Sequence, residues 1–239
     1  MKRSVMLFVI ALLSIGIVCT TYAENAKLYT SGNVLAVVLF NNSESSSDMS
    51  LIVKGTAGDM VLMDEGAEVS YIIPTAEIDG WTKKDFNDSS WTVGVTGIGY
   101  ADSDDNTTIA GPPQKEFYVR YHFDAPKAQD VKEATFLFDY DDAYIAVLNG
   151  VEVARSNNVK FAAGSMPGFN VALGDIVSVD HEATKVAPGK PNADRWTKPV
   201  GWAQSELGKH VVAIDFGGSV TAVSPASKLA VTWGSMKSE

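Results

Sequence analysis

The sequence has 239 residues, with 19 Lys and Arg against 29 Asp and Glu, and a net charge of −10 at pH 7. This acidity argues against nucleic acid as a partner, because binding to phosphates needs clustered positive charge. The one cysteine, Cys19, excludes an internal disulfide. Packing, and cations if any bind, must therefore stabilise the fold.

The first 23 residues have the layout of an export signal that is cleaved. Lys2 and Arg3 precede an apolar run over residues 5–18, which is short for a membrane span, and Ala23 lies where signal peptidase requires small residues. We predict a signal helix that is cut after Ala23, and a mature chain in the periplasm or at the cell surface. Loss of the two basic residues changes the net charge from −10 to −12. Lipidation of Cys19 is a disfavoured alternative, because a β-branched residue precedes it.

Beyond the leader, short runs rich in Val, Ile, Phe and Tyr alternate with clusters of Gly, Asn, Asp, Ser and Pro. This rhythm predicts strands joined by turns, with no membrane-spanning segment in the mature chain. The predicted strands are 33–40, 49–54, 68–73, 117–123, 134–140, 144–148, 151–154, 211–216 and 229–233. The fold class is therefore predicted to be all-β.

Residues 24–58 are predicted to form an N-terminal β-hairpin extension. Their pattern of strand, Ser-rich loop and strand is similar to that of residues 208–231. A spare hairpin can complete a neighbour's sheet, so self-association is an alternative role for it. The remaining residues, 59–239, are predicted to form one β-sandwich with a long Pro-rich insertion at 164–205.

Within this sandwich, Asn149 and Gly150 join two β-prone runs. Asn-Gly tolerates positive φ at both central positions of a type I′ turn, whose twist matches that of the flanking strands. The sequence therefore predicts a tight hairpin here.

Aspartates are clustered in two places. They are Asp102, Asp104 and Asp105 in one loop, and Asp139, Asp141 and Asp142 just before the hairpin. Clustered carboxylates repel unless they are solvated or neutralised, and Ca²⁺ prefers oxygen ligands. We predict a structural Ca²⁺ with ligands among Asp102, Asp104, Asp139, Asp141 and Asp142. A solvated acidic turn is the alternative, because Asp also hydrogen-bonds its own backbone in turns.

Aromatic side chains in loops supply the candidates for ligand binding. Trp196 and Trp202 lie in the insertion, together with Arg195 as a further candidate, and Tyr100 lies in an earlier loop. Exposed aromatic rings serve as stacking platforms, although the same residues also suit pinning a loop onto the sandwich. Two other tryptophans, at positions 81 and 91, are predicted to be core residues.

No enzymatic activity is expected from these motifs. The three histidines, His122, His181 and His210, are isolated and have no metal-binding spacing. The sequence contains no nucleophile elbow, phosphate loop or dinucleotide fingerprint, and the mature chain has no thiol. A hydrolase that uses exposed carboxylates is the weakest alternative.

Four motifs in order carry a family resemblance. They are Trp81 with the run 85–91, Gly97–Tyr100, the Arg-containing strand 117–123, and the segment 141–155 with its Asn-Gly turn. Residues 60–233 thereby resemble the galactose-binding-domain-like jelly rolls that bacteria attach to secreted hydrolases, phosphoesterases and surface proteins. The chain departs from that pattern at Ala143, where the family usually has Gly, and in the long insertion.

The resemblance implies a jelly-roll β-sandwich that in many members holds a structural calcium ion. The leading hypothesis is a secreted, noncatalytic module that binds carbohydrate or another cell-surface polymer. The alternative is an envelope-associated structural protein that assembles through its sandwich and its N-terminal hairpin. The ligand class rests on analogy alone.

Overall fold

The structure is a computed structural model that describes residues 25–43, 45–101, 105–111, 113–164, 166, 168–169, 176 and 210–216. The predicted signal helix and almost all of the insertion at 164–205 lie outside these residues. The predicted strand at 229–233 lies outside them as well.

Strands dominate the described residues, and this confirms the predicted all-β class. The strands are β1 (Asn33–Phe40), β2 (Met49–Ala57), β3 (Met60–Met63), β4 (Glu68–Ile72), β5 (Thr92–Val95), β6 (Ile98–Tyr100), β7 (Thr107–Thr108), β8 (Glu116–Phe123), β9 (Glu133–Asp141), β10 (Ala143–Leu148), β11 (Val151–Arg155) and β12 (His210–Asp215). One short 3₁₀ helix spans Ala128–Asp130. No helix in the described part has the length and apolar character that crossing a membrane requires.

The strands form two sheets that pack as a sandwich. The β1 sheet has the order β11-β10-β1-β8-β4-β5, and all its neighbours are antiparallel. The β2 sheet has the order β12-β9-β2-β6-β7, with β3 also paired to β2. Only the pairing of β6 with β7 is parallel in this second sheet. The architecture is a β-sandwich, and its assignment as a jelly roll stays a prediction.

The prediction of an N-terminal β-hairpin extension at 24–58 is wrong. β1 and β2 do not pair with each other, and each lies inside a different sheet. β1 pairs with both β8 and β10, while β2 pairs with β9, β6 and β3. Residues 33–57 are therefore integral to the sandwich, and they are not a spare hairpin.

All eight residues of β1 are buried, because both faces of its sheet are covered. Leu35, Val37 and Leu39 point into the core between the two sheets. Val34 and Val38 point outward into a second apolar cluster that includes the tryptophans of segment 81–91. This double covering explains why β1 reads as a continuous apolar run and not as an alternating one.

Arg120 of β8 fastens the segment 81–91 over the outer face of the β1 sheet. Its side chain is fully buried, and its Nε donates to Asp88 Oδ2 at 2.7 Å. Its two other nitrogens donate to the carbonyl oxygens of Lys83 at 3.0 Å and Phe86 at 3.3 Å, and to that of Trp81. One guanidinium thus satisfies backbone acceptors that have no strand partner.

The tryptophans of this segment are packing residues, as predicted. Trp81 is 5% exposed and Trp91 is 7% exposed. The Trp81 ring stacks on Tyr118 of β8, with centroids 4.2 Å apart and planes 4° from parallel. Neither ring is available to stack on a ligand.

The hairpin predicted at Asn149 and Gly150 is confirmed. It joins β10 to β11, with Leu148 opposite Val151. Asn149 has φ of 51° and Gly150 has φ of 90°, the positive values that this turn requires.

Candidate functional site at the acidic end

Several strand ends meet at one end of the sandwich. β1 finishes at Phe40, where β10 begins alongside it. β2 starts at Met49, opposite Tyr100 of β6, and its Ser50 lies opposite Asp141 of β9. Residues far apart in the chain are therefore neighbours here. We call this region the acidic end and define it by Asp48, Asp105, Asp141 and Asp142.

Two of the predicted metal ligands, Asp141 and Asp142, lie where β9 leaves one sheet and β10 enters the other. They are 1% and 2% exposed. Asp142 Oδ2 accepts a hydrogen bond from the Asn42 N–H at 2.8 Å. Burial raises the pKa of the Asp142 carboxyl, and the charge of Asp48 raises it further, although hydrogen bonds to Asp141 and Asn42 oppose the shift. The ionised form of Asp142 is therefore costly unless something neutralises it.

Asp139, a third predicted ligand, is fully buried two residues earlier on β9. Its strand neighbour across the β2 sheet is Ile52. Asp139 and Asp141 are on the same face of their strand, because side chains alternate with a period of two.

Asp105 brings the earlier acidic loop to the same place. Its Oδ1 accepts a hydrogen bond from Ser50 Oγ at 3.0 Å, and the residue is 7% exposed. The approach depends on Gly99, since a Cβ there would lie 2.8 Å from Asp105 Oδ1 and would overlap the Met49 carbonyl oxygen. The predicted ligands Asp102 and Asp104 lie outside the described residues.

Tyr100, a predicted ligand-binding residue, also lies at this end. Asn41 Nδ2 donates to its hydroxyl oxygen at 2.9 Å and to the Gln114 carbonyl at 3.2 Å. Partial burial raises the pKa of the Tyr100 hydroxyl, and the carboxylates of Asp48 and Asp141 add to that rise. The other amide atom, Asn41 Oδ1, is buried and accepts no hydrogen bond from the described residues.

The donor chemistry at the acidic end suits a hard cation, because carboxylate and amide oxygens are the ligands that Ca²⁺ prefers. The described carboxylates alone do not complete a ligand set. Among them and the other described residues, no three His, Cys, Asp or Glu side chains are grouped to hold a metal ion. A complete set would need further oxygens, and Asp102 and Asp104 are the predicted source.

The remaining predicted ligand-binding residues, Arg195, Trp196 and Trp202, lie outside the described residues. Sequence reasoning missed Asn41, Asp48 and Ser50, which belong to the site. No local signal marks these three, because they reach the other site residues only through contacts between distant parts of the chain. Ser50, for example, lies opposite Asp141 through the pairing of β2 with β9, about 90 residues apart in the chain.

Of the histidines, His122 lies on β8 with its side chain 47% exposed. Its Nε2 is 2.6 Å from Asp88 Oδ2, the same oxygen that accepts from Arg120. The contact therefore belongs to the segment 81–91 that Arg120 fastens. His210 begins β12, and His181 lies outside the described residues.

An open groove of about 880 Å³ lies at the opposite end of the sandwich, between the β2–β3 turn and residues 124–133. Among the described residues, its lining mixes Asp59 and Asp124 with Lys127 and Lys132 and contains no aromatic side chain. The groove therefore lacks a stacking surface for a sugar ring.

Comparison of the chain with protein-family models, curated proteins and solved structures gives no match.

Proposed function

We propose that this chain is a secreted, noncatalytic binding module whose acidic end takes part in binding carbohydrate or another cell-surface polymer. The observation that supports it is that three buried aspartates, Asp105, Asp141 and Asp142, lie at the same end of the sandwich as the half-buried ring of Tyr100. A ring next to hard oxygen donors offers both stacking and polar contacts to a sugar.

The proposal includes a Ca²⁺ ion at this end. Asp105, Asp141 and Asp142 would hold it together with Asp102 and Asp104, and it would neutralise carboxylates that burial makes costly to ionise. The bound ion would supply a positive charge for sugar hydroxyls, while Tyr100 would orient the ring. Two hydrogen bonds position the carboxylates: Ser50 Oγ donates to Asp105, and the Asn42 N–H donates to Asp142.

The alternative is a structural protein that assembles through its sandwich and its N-terminal hairpin, and the hairpin part of it has lost its structural basis. β1 and β2 are interior strands of the sandwich, so they are not available to a neighbour's sheet. The binding proposal is therefore the one we put forward.

A binding experiment tests it. The chain lacking residues 1–23 is run by affinity electrophoresis through a panel of soluble polysaccharides, in Ca²⁺ and in EDTA. We expect retardation by at least one polysaccharide in Ca²⁺, and less in EDTA. Tyr100→Ala should reduce the retardation, whereas Tyr100→Phe, which keeps the ring, should preserve most of it.

Trp196→Ala and Trp202→Ala belong to the same experiment, because both tryptophans are predicted platform residues. Loss of retardation in either variant would extend the binding surface to the insertion. If no polysaccharide retards the wild-type chain in either buffer, the proposed function is wrong.

A further inference from the structure

Asn149, the first residue of the β10–β11 turn, fastens the segment that precedes β1. Its Nδ2 donates to the Lys27 carbonyl oxygen at 2.8 Å and to Asn33 Oδ1 at 3.0 Å. Its Oδ1 accepts from the Val34 N–H at 2.8 Å. All the polar atoms of the side chain amide are therefore engaged across the end of the sandwich, where it meets residues 27–34.

We call residues 25–32 the strap. Ala26 is 7% exposed and belongs to the main core. The Tyr29 N–H donates to Asn33 Oδ1 at 2.8 Å, and the Gly32 N–H donates to Asp124 Oδ1 at 2.8 Å. Two further bonds hold its backbone, from Asn33 Nδ2 to the Tyr29 carbonyl oxygen at 2.6 Å and from the Ala125 N–H to the Thr30 carbonyl oxygen at 3.1 Å. The turn residue Asn149 supplies the bond at Lys27 and shares the Asn33 side chain that holds Tyr29.

Asn-Gly is also a chemically labile pair, because glycine has no side chain to hinder attack by its own backbone nitrogen. In that reaction the Gly150 nitrogen bonds to Cγ of Asn149, the Cγ–Nδ2 bond breaks, and ammonia leaves with the proton of the Gly150 N–H. Water then opens the cyclic imide to aspartate or isoaspartate. No oxidant or other reagent is needed.

We propose that Asn149 is a deamidation-sensitive latch, whose conversion to an acid releases the strap and leaves the sandwich folded. The aspartate product keeps an oxygen that can accept from the Val34 N–H, and Asp-Gly still suits a type I′ turn. It loses both N–H donors, and it sets a carboxylate against two oxygens, the Lys27 carbonyl and Asn33 Oδ1. The damage therefore falls on the strap.

Amide hydrogen exchange on Asn149→Asp tests this. The Tyr29 and Gly32 amides should exchange about tenfold faster than in the wild type, the effect of losing one or two hydrogen bonds. The Val34 amide should keep its protection. Asn87→Asp, a substitution at an exposed position with the same change of charge, should leave the exchange rates of the strap amides at their wild-type values. Unchanged strap exchange in Asn149→Asp would overturn the proposal, and so would loss of protection at Val34 and in the strands.

Aged wild-type protein gives a second measurement. The chain is held unfolded in alkaline urea until part of it is deamidated, then refolded and treated briefly with trypsin, which cuts after Lys27. Molecules that carry an acid at position 149 should be cut after Lys27 first. They are identified by the added mass of their peptide 133–155. Equal cutting of amide and acid molecules would contradict the latch.

Discussion

Arg120 and Asp88 show how the ion pair of a buried arginine with a partly buried aspartate orders a segment that has no regular structure. The carbonyl oxygens of Trp81, Lys83 and Phe86 all accept from the guanidinium. The Asp88 carboxylate balances the charge of Arg120, and the same Oδ2 atom also contacts Nε2 of His122. The two residues thereby hold the aromatic cover over the outer face of the β1 sheet.

Arg120→Lys should be strongly destabilising although it keeps the charge. A lysine cannot reach four acceptors in a plane, so it leaves buried carbonyl oxygens without donors. We expect a loss of about 3 kcal/mol in the free energy of unfolding, measured in urea. Lys83→Arg, at an exposed position on the same segment, serves as the control, and similar effects of the two changes would contradict the role given to Arg120.

The pH dependence of the free energy of unfolding should reveal the lowered pKa of Asp88. Burial tends to raise the pKa of its carboxyl, but the hydrogen bonds and charges of His122 and Arg120 outweigh burial, and the pKa is lowered. Such a carboxyl stabilises the fold above the pKa of the unfolded chain, about 4, and that contribution is lost as the pH falls through the folded-state pKa. Asp88→Asn should therefore be less stable at pH 6 and lose less on acidification. If the free energy of unfolding falls equally in the wild type and in Asp88→Asn from pH 6 to pH 2, the assignment to Asp88 is wrong.

The strands β1 and β12 share a sequence pattern but occupy different environments. In each strand alternate residues enter the core, Leu35 and Val37 in β1, Val212 and Ile214 in β12. The other face differs, since that of β1 is covered and apolar, while Asp215 of β12 is exposed. The similarity in sequence between these two strands thus reflects a shared inward face.

Substitution on the outward faces tests this difference. Val38→Asp would bury an unpaired charge in the cluster under segment 81–91, and should cost about 4 kcal/mol or prevent folding. Ala213→Asp makes a comparable change on β12 and should cost less than about 1 kcal/mol. Thermal unfolding of both variants measures the contrast, and equal losses would show that the face of β1 is not sealed.

Gly99 permits the close approach of β6 to β2 at the acidic end. A methyl group there would collide with the backbone of β2 at Met49 and with Asp105. We expect Gly99→Ala to cost about 3 kcal/mol, because the obstacle includes rigid backbone. Gly58→Ala, in a turn with open space around the added Cβ, should cost about 1 kcal/mol from its positive φ alone. A smaller loss at Gly99 than at Gly58 would argue against the close packing of β6 on β2.

The strap and the acidic end lie at opposite ends of β1. The strand begins at Asn33, beside the strap, and finishes at Phe40, beside the acidic end. Eight residues of strand span about 26 Å, so the latch and the proposed cation site are separate in space. Their tests can therefore succeed or fail independently.

The sequence predicted the fold class and the Asn149-Gly150 turn because both depend on local alternation and turn chemistry. It failed on the N-terminal strands, since the pairing of Leu35 with Leu148 joins residues over 100 positions apart. Only part of the acidic end could be predicted, for the same reason. Asp141 and Asp142 stand out locally, whereas Ser50 becomes their neighbour only when β2 pairs with β9.

Calcium titration of the metal-free chain, combined with thermal unfolding, tests the central proposal most directly. In the wild type the midpoint should rise saturably with Ca²⁺, because a ligand bound only by the folded state stabilises it. Asp142→Asn should be more stable than the wild type in EDTA, since a costly buried carboxylate is gone, and should lose most of the response to Ca²⁺. Asp59→Asn, at the other end of the sandwich, should respond as the wild type does. A wild-type midpoint that Ca²⁺ leaves unchanged, or an equal rise in Asp142→Asn, would contradict a cation site at the acidic end.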